Sequence, residues 1–148
     1  MESNIYTVID TNVIVSALIS KSLDSNPVKV VQAITQDRII PIYNDEILQE
    51  YKEVLSRPKF HLDETLIMMF LRAIVMDGLW LDRTKAGEEY FPDPKDVVFY
   101  EIAMSKEGSY LVTGNIKHFP AKPFVVTPAE MIGILEQKFP SYSTSQGE

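Results

Sequence analysis

Apolar residues recur along this chain with two different periods, and the change from one to the other falls at turn-forming residues. The run IYTVI (5–9) is short, apolar and β-branched, and predicts a buried strand. Helical spacing takes over at 13–19 and, after the turn-like SLDSNP, again at 28–34. RIIPIY (38–43) predicts a second strand. Its Pro41 argues for an irregular or edge position, because proline brings no N–H to the ladder. NDEILQEYKEVLSR (44–57) predicts an amphipathic helix with Ile47, Leu48, Tyr51, Val54 and Leu55 on one face, closed by Pro58. Another helix is expected over 63–76 and a third strand at LWL (79–81). DPKDVVFYEIAMSKEG (93–108) reads as a helix with Pro94 at its first position and Gly108 past its end. YLVT (110–113) and FVVT (124–127) give a fourth and a fifth strand, and PAEMIGILEQ (128–137) the last helix.

Strands alternating with helices imply an α/β fold, a three-layer α/β/α domain around a central, mostly parallel sheet of four to five strands. One domain over 1–137 accounts for the pattern, with 138–148 as a polar C-terminal tail expected to be disordered. In sheets of this kind ligands bind beyond the carboxyl ends of the strands. That rule singles out Asp10, which directly follows the first strand.

Composition narrows the chemistry. The chain has no cysteine, which excludes disulfides, thiolate metal ligation and thiol catalysis. A net charge of −7 argues against a broad electrostatic hold on nucleic acid, although acids gathered to bind a cation enter the same sum. No apolar run approaches the roughly 18 residues of a membrane span. Glu2 and Asp10 interrupt the N-terminus, so a signal peptide is not expected and a cytoplasmic protein without membrane contact is.

Four groups of polar residues then invite a chemical reading. Asp10 suits a helix N-cap, but Thr11 and Asn12 beside it suit that role as well, so capping alone does not require it. Glu46, Glu50 and Glu53 share a narrow arc of their helix at about 100° per residue. Glu46 and Glu53 read as a solvated face, while Glu50 lies nearest Val54 and the apolar margin, where it can lean over the sheet rim. In DPKD, Asp93 reads as a cap and Asp96 as the third helical residue, held ionised by the helix N-terminus. In VTGN (112–115), Asn115 reads as a turn residue, a hydrogen-bond donor or an amide-oxygen ligand. Three carboxylates on one rim repel each other unless a cation joins them, and oxygen donors without cysteine imply Mg²⁺ or Mn²⁺. Such sites serve phosphate chemistry.

VIDTNVIVSAL, EILQEYKEVLSRPKF, DPKDVVFYEIA and YLVTGNIKHF, in that order, resemble the PIN-domain family, and within it the bacterial and archaeal toxin components of type II toxin–antitoxin modules. The likeness spans residues 5–135. It implies a metal-dependent endoribonuclease with a compact α/β/α fold, an RNA substrate, an antitoxin partner and a homodimer. Carried over to this chain, the metal-binding acids are Asp10, Glu50 and Asp96. Thr11 and Asn12 shape the loop, and Thr113 is the supporting threonine of the fourth motif. Asn115 completes the catalytic set where the family often has aspartate, which weakens a second metal more than the first. The alternative is a catalytically weak or inactive PIN-like module that binds RNA or protein. A haloacid-dehalogenase-type phosphatase is disfavoured, because it needs a second acid where Asn12 stands.

His118, His61, Lys21 and Lys117 lie outside this set. A lone histidine near a loop reads as structural or solvated, and single surface lysines carry little information. The stretch Met68, Met69, Phe70, Leu71 reads as core or as a subunit interface.

Overall fold

Ile5, Thr7, Val8 and Ile9 are all buried, so the first apolar run has almost no solvent face and forms the middle strand of a doubly covered sheet. The structure, a computed structural model, describes residues 4–85 and 87–140. Beside β1 (Ile5–Ile9) lie β2 (Ile39–Tyr43), β3 (Leu79–Trp80), β4 (Tyr110–Val112) and β5 (Val125–Val126). Their order is β3-β2-β1-β4-β5, and every neighbouring pair is parallel. The sheet grows one way from β1 to β3 and the other way through β4 and β5. The direction therefore reverses between β1 and β4, the position where open parallel sheets form ligand crevices.

The helices are α1 (Thr11–Ile19), α2 (Asn26–Thr35), α3 (Asp45–Leu55), α4 (Glu64–Asp77), α5 (Val97–Met104) and α6 (Pro128–Lys138). Helix α2 packs with α1 and α6, α3 packs with α4 and α5, and α1 also touches α3, completing a three-layer α/β/α sandwich. Several start where local chemistry dictates. Ser25 caps α2 ahead of Pro27, Asn44 Oδ1 accepts the Ile47 N–H at 2.8 Å to open α3, and Thr127 with Glu130 forms a capping box on α6. Along α3 the buried residues are Ile47, Tyr51, Val54 and Leu55, four of the five that the apolar stripe predicts. Tyr51 and Tyr100 are the largest fully buried side chains among the described residues, and Tyr51 anchors α3. It packs against Phe70 and Phe99, and its hydroxyl donates to the Ile9 carbonyl.

Two sequence expectations change. Pro41 is not on an edge strand, because β2 lies between β1 and β3. Tyr43 gives its carbonyl to Leu81 on the β3 side, and alternation turns Pro41 the same way, one residue before pairing with β3 begins at Ile42. The missing N–H thus interrupts no ladder. Gly78 makes this start possible, since a Cβ there would overlap the carbonyl oxygens of Ile74 and Pro41. The helix expected over 93–108 is also divided. A 3₁₀ turn, Pro94–Asp96, precedes α5, so Asp96 sits just before the α-helix rather than at its third position.

The last helix continues through Lys138, one residue beyond the expected end of the domain. Residues 141–148 of the expected polar tail lie outside the described residues.

Candidate active site

Asp10 leaves β1 with extended backbone and donates its N–H to the Val112 carbonyl at 2.9 Å, which ties the first residue past β1 to the end of β4. It occupies the N-cap position of α1, yet its carboxylate makes no capping bond to the amides further along the first turn. Instead Oδ2 accepts the Thr113 hydroxyl at 2.8 Å. Only 6% of Asp10 is exposed. Burial pushes its carboxyl above the ordinary value. Hydrogen bonds from Thr113 and the Thr11 backbone oppose that shift, the Glu50 charge adds to it, and His118 reduces it.

Asp96 approaches from the 3₁₀ turn before α5. Burial, then the charges of Asp10 and Asp93, push its carboxyl up to about 6, while His118 draws it back. Its Oδ2 is hidden from solvent and accepts no hydrogen bond. His118 Nδ1 lies 3.4 Å from that oxygen. Asp93 keeps the capping role read from the sequence, accepting the Lys95 N–H at 3.0 Å.

The fourth motif connects these two acids. The Asn115 N–H donates to the Thr113 hydroxyl at 3.0 Å, and the Asn115 side-chain amide stands 3.0 Å from His118 Nε2. Asp10, Thr113, Asn115, His118 and Asp96 therefore form one connected set. Glu50 joins it through charge rather than contact: it is half-buried on α3, and it is felt at Asp10. The bond from Tyr51, the next residue, to the last residue of β1 fixes this stretch of α3 against the rim.

Thr11 is buried with its hydroxyl unbonded, and Asn12 is exposed. Asn12, Ser16, Gly114 and Asn115 line a hollow of about 250 Å³. Glu50, Arg83 and Lys95 line a second one of about 210 Å³. Glu46 departs from its solvated reading. Although exposed, it binds Arg83 at 2.8 Å, and Arg83 also reaches Glu101 at 2.6 Å.

Among the described residues no three His, Asp or Glu side chains stand close enough together to cage an ion. The donor chemistry nevertheless fits a hard divalent cation. The rim offers the carboxylate oxygens of Asp10, Glu50 and Asp96, burial raises the carboxyls of Asp10 and Asp96 and a neighbouring acid adds to each shift, and the buried Thr11 Oγ1 and Asp96 Oδ2 have no hydrogen-bond partner.

His118 is the residue that the sequence reading undervalued. The available signal was its spacing: in the 3₁₀ turn Ile116–His118, side chains three apart eclipse, so Asn115 and His118 meet.

A comparison with protein families matches residues 6–117 to the model described as PIN domain. No curated protein and no solved structure matches the chain.

Proposed function

The chain belongs to the PIN-domain family, whose members are in general nucleases, and from that premise we propose that it is a metal-dependent endoribonuclease hydrolysing RNA phosphodiester bonds. The proposal rests chiefly on two carboxyls at the point where the sheet changes direction, the buried Asp10 and the half-buried Asp96, which one chain of contacts through Thr113, Asn115 and His118 joins. Above about pH 6 Asp96 is ionised, and with Asp10 and Glu50 it offers oxygens to Mg²⁺ or Mn²⁺. When bound, such an ion supplies positive charge for phosphate oxygens and a water of lowered pKa.

The chain's own residues hold and aim the acids. Thr113 fixes the Asp10 carboxylate, Thr11 and Asn12 shape the loop that carries it, and Asn115 engages His118 rather than the cation. Partner-free protein incubated with Mn²⁺ and a panel of single-stranded and structured RNAs is expected to release fragments. Cleavage should stop on chelation and in Asp96→Asn. RNA that binds but stays intact across the panel would instead establish the alternative, a catalytically weak RNA-binding module. That alternative draws support from the lack of a three-acid cage among the described residues.

The further proposals are a type II toxin role with an antitoxin partner, a cytoplasmic location and a homodimer. The first rests on the likeness of the four motifs to that branch. Among the described residues no helix is long and apolar enough to cross a membrane. The homodimer draws on α4, where Phe70 is buried but Met68, Met69 and Met76 are 50%, 64% and 70% exposed. Glu64 and Arg72 stand two turns apart on either side of Met68 and line one groove with it. An antiparallel second copy centred on Met68 sets each Glu64 against the other copy's Arg72. Light scattering is expected to return a dimer mass, Arg72→Glu a monomer, and Glu64→Arg with Arg72→Glu a dimer again. A monomeric natural chain would refute this interface.

A further inference from the structure

We propose that Asn115 and His118 are positioning residues: the Asn115 amide fixes the His118 ring in its Nδ1–H tautomer, and that N–H holds the Asp96 carboxylate in place. The proposal rests on reading the acidic rim as the active site.

The amide nitrogen of Asn115 can only donate, and it stands 3.0 Å from His118 Nε2. Nε2 must then accept, which leaves the proton of the neutral ring on Nδ1. Nδ1 is the atom that faces Asp96 Oδ2, at 3.4 Å. That oxygen is hidden from solvent and accepts no hydrogen bond among the described residues, so the imidazole beside it is the group at hand to orient it. Ring orientation by an outer partner is a recurrent device around metal-binding carboxylates and histidines.

Asn115 reaches the other acid as well. Its backbone N–H donates to Thr113 Oγ1, which donates to Asp10 Oδ2. One residue thus braces Asp10 through a hydroxyl and Asp96 through an imidazole. This gives Asn115 a function that aspartate cannot perform. A carboxylate at 115 accepts only, so it would draw the ring proton to Nε2 and turn the Nδ1 lone pair toward Asp96. Asparagine here is therefore a requirement of His118, not a metal ligand that has lost its charge.

The test uses the full, metal-free chain labelled with ¹⁵N in histidine, at about pH 8, above the ordinary histidine range. The chain has 2 histidines, so His118→Gln assigns the ring signals. Two-bond ¹H–¹⁵N spectra are expected to show the Nδ1–H pattern for His118, and Asn115→Ala is expected to abolish it. Mn²⁺ affinity by calorimetry is expected to fall roughly 10- to 100-fold in His118→Ala. His118→Asn, whose amide nitrogen replaces Nδ1, should retain most of it. In that background Asn115→Ala should have little further effect. An Nε2–H pattern in the natural chain, or one unmoved by Asn115→Ala, overturns the proposal whether or not RNA is cleaved. Unchanged affinity in His118→Ala overturns the positioning role. A natural chain that shows the Nδ1–H pattern but binds no Mn²⁺ overturns the reading of the rim, and the positioning role with it.

Discussion

Asp10→Asn is expected to reduce Mn²⁺-dependent RNA cleavage by at least about 100-fold while leaving the melting temperature unchanged or higher. The activity loss follows from removing charge at the centre of the acidic rim. Forfeiting several kcal/mol of transition-state stabilisation amounts to two or more powers of ten in rate. The stability outcome separates this role from that of a helix cap. Asparagine caps a helix about as well as aspartate and keeps an oxygen for the Thr113 hydroxyl, so the substitution changes charge and little else. It also removes a buried negative charge that burial and Glu50 oppose, and it relieves Asp96 of the Asp10 charge. A functional group held at the expense of the fold behaves in this way, and a structural one does not. Cleavage rates and thermal melts on the same preparations decide it. Activity within about tenfold of the natural chain, or a clearly lower melting temperature, would return Asp10 to a structural role.

The second large effect links pH, cation and stability. Asp96 titrates near 6 in the folded chain, against an ordinary aspartate value of 3.8 in the unfolded one. Between those values the metal-free native state holds protons that the unfolded state has released. The contribution of Asp96 is therefore fully present below about pH 4, and it is lost as pH rises through about 6. Asp10, also raised, acts in the same direction. A divalent cation that binds only the native carboxylates reverses this loss. At one hundred times its dissociation constant the gain is about 2.7 kcal/mol, or roughly 5–10 °C in melting temperature for a chain of this size. Melts with Mn²⁺ or chelator at pH 5 and pH 7.5 should show that gain at the higher pH and much less at the lower. Asp96→Asn should flatten both the pH trend and the Mn²⁺ response. A Mn²⁺ shift of equal size at both pH values, or one that survives Asp96→Asn, would place the cation elsewhere.

The strands and the amphipathic α3 were legible because their burial is decided locally. IYTVI has almost no polar face, and the α3 stripe repeats every three to four residues. Asp10 was legible for a related reason: once the sheet is parallel, the end of its first strand is a privileged place. Pro41 misled because a proline reads as an edge signal wherever strand pairing is unknown, and the late start of β3 is not written near it. The division of 93–108 escaped because apolar spacing cannot distinguish a 3₁₀ turn from the first turn of an α-helix. The Arg83 bridge to Glu46 and the approach of His118 to Asp96 join segments distant in sequence, so no local pattern encodes either.

With the rim as the proposed nuclease centre, the strand order also fixes when that centre can be assembled during synthesis. Asp10 and Glu50 leave the ribosome early, but Asp96 arrives later and the Thr113 hydroxyl that steadies Asp10 comes 103 residues after it. β4 must emerge and dock beside β1 before the acids are held together. A nascent chain that ends before β4 lacks the Thr113 hydroxyl that steadies Asp10, however well its first half has folded. The rim is complete only once β4 has joined the sheet.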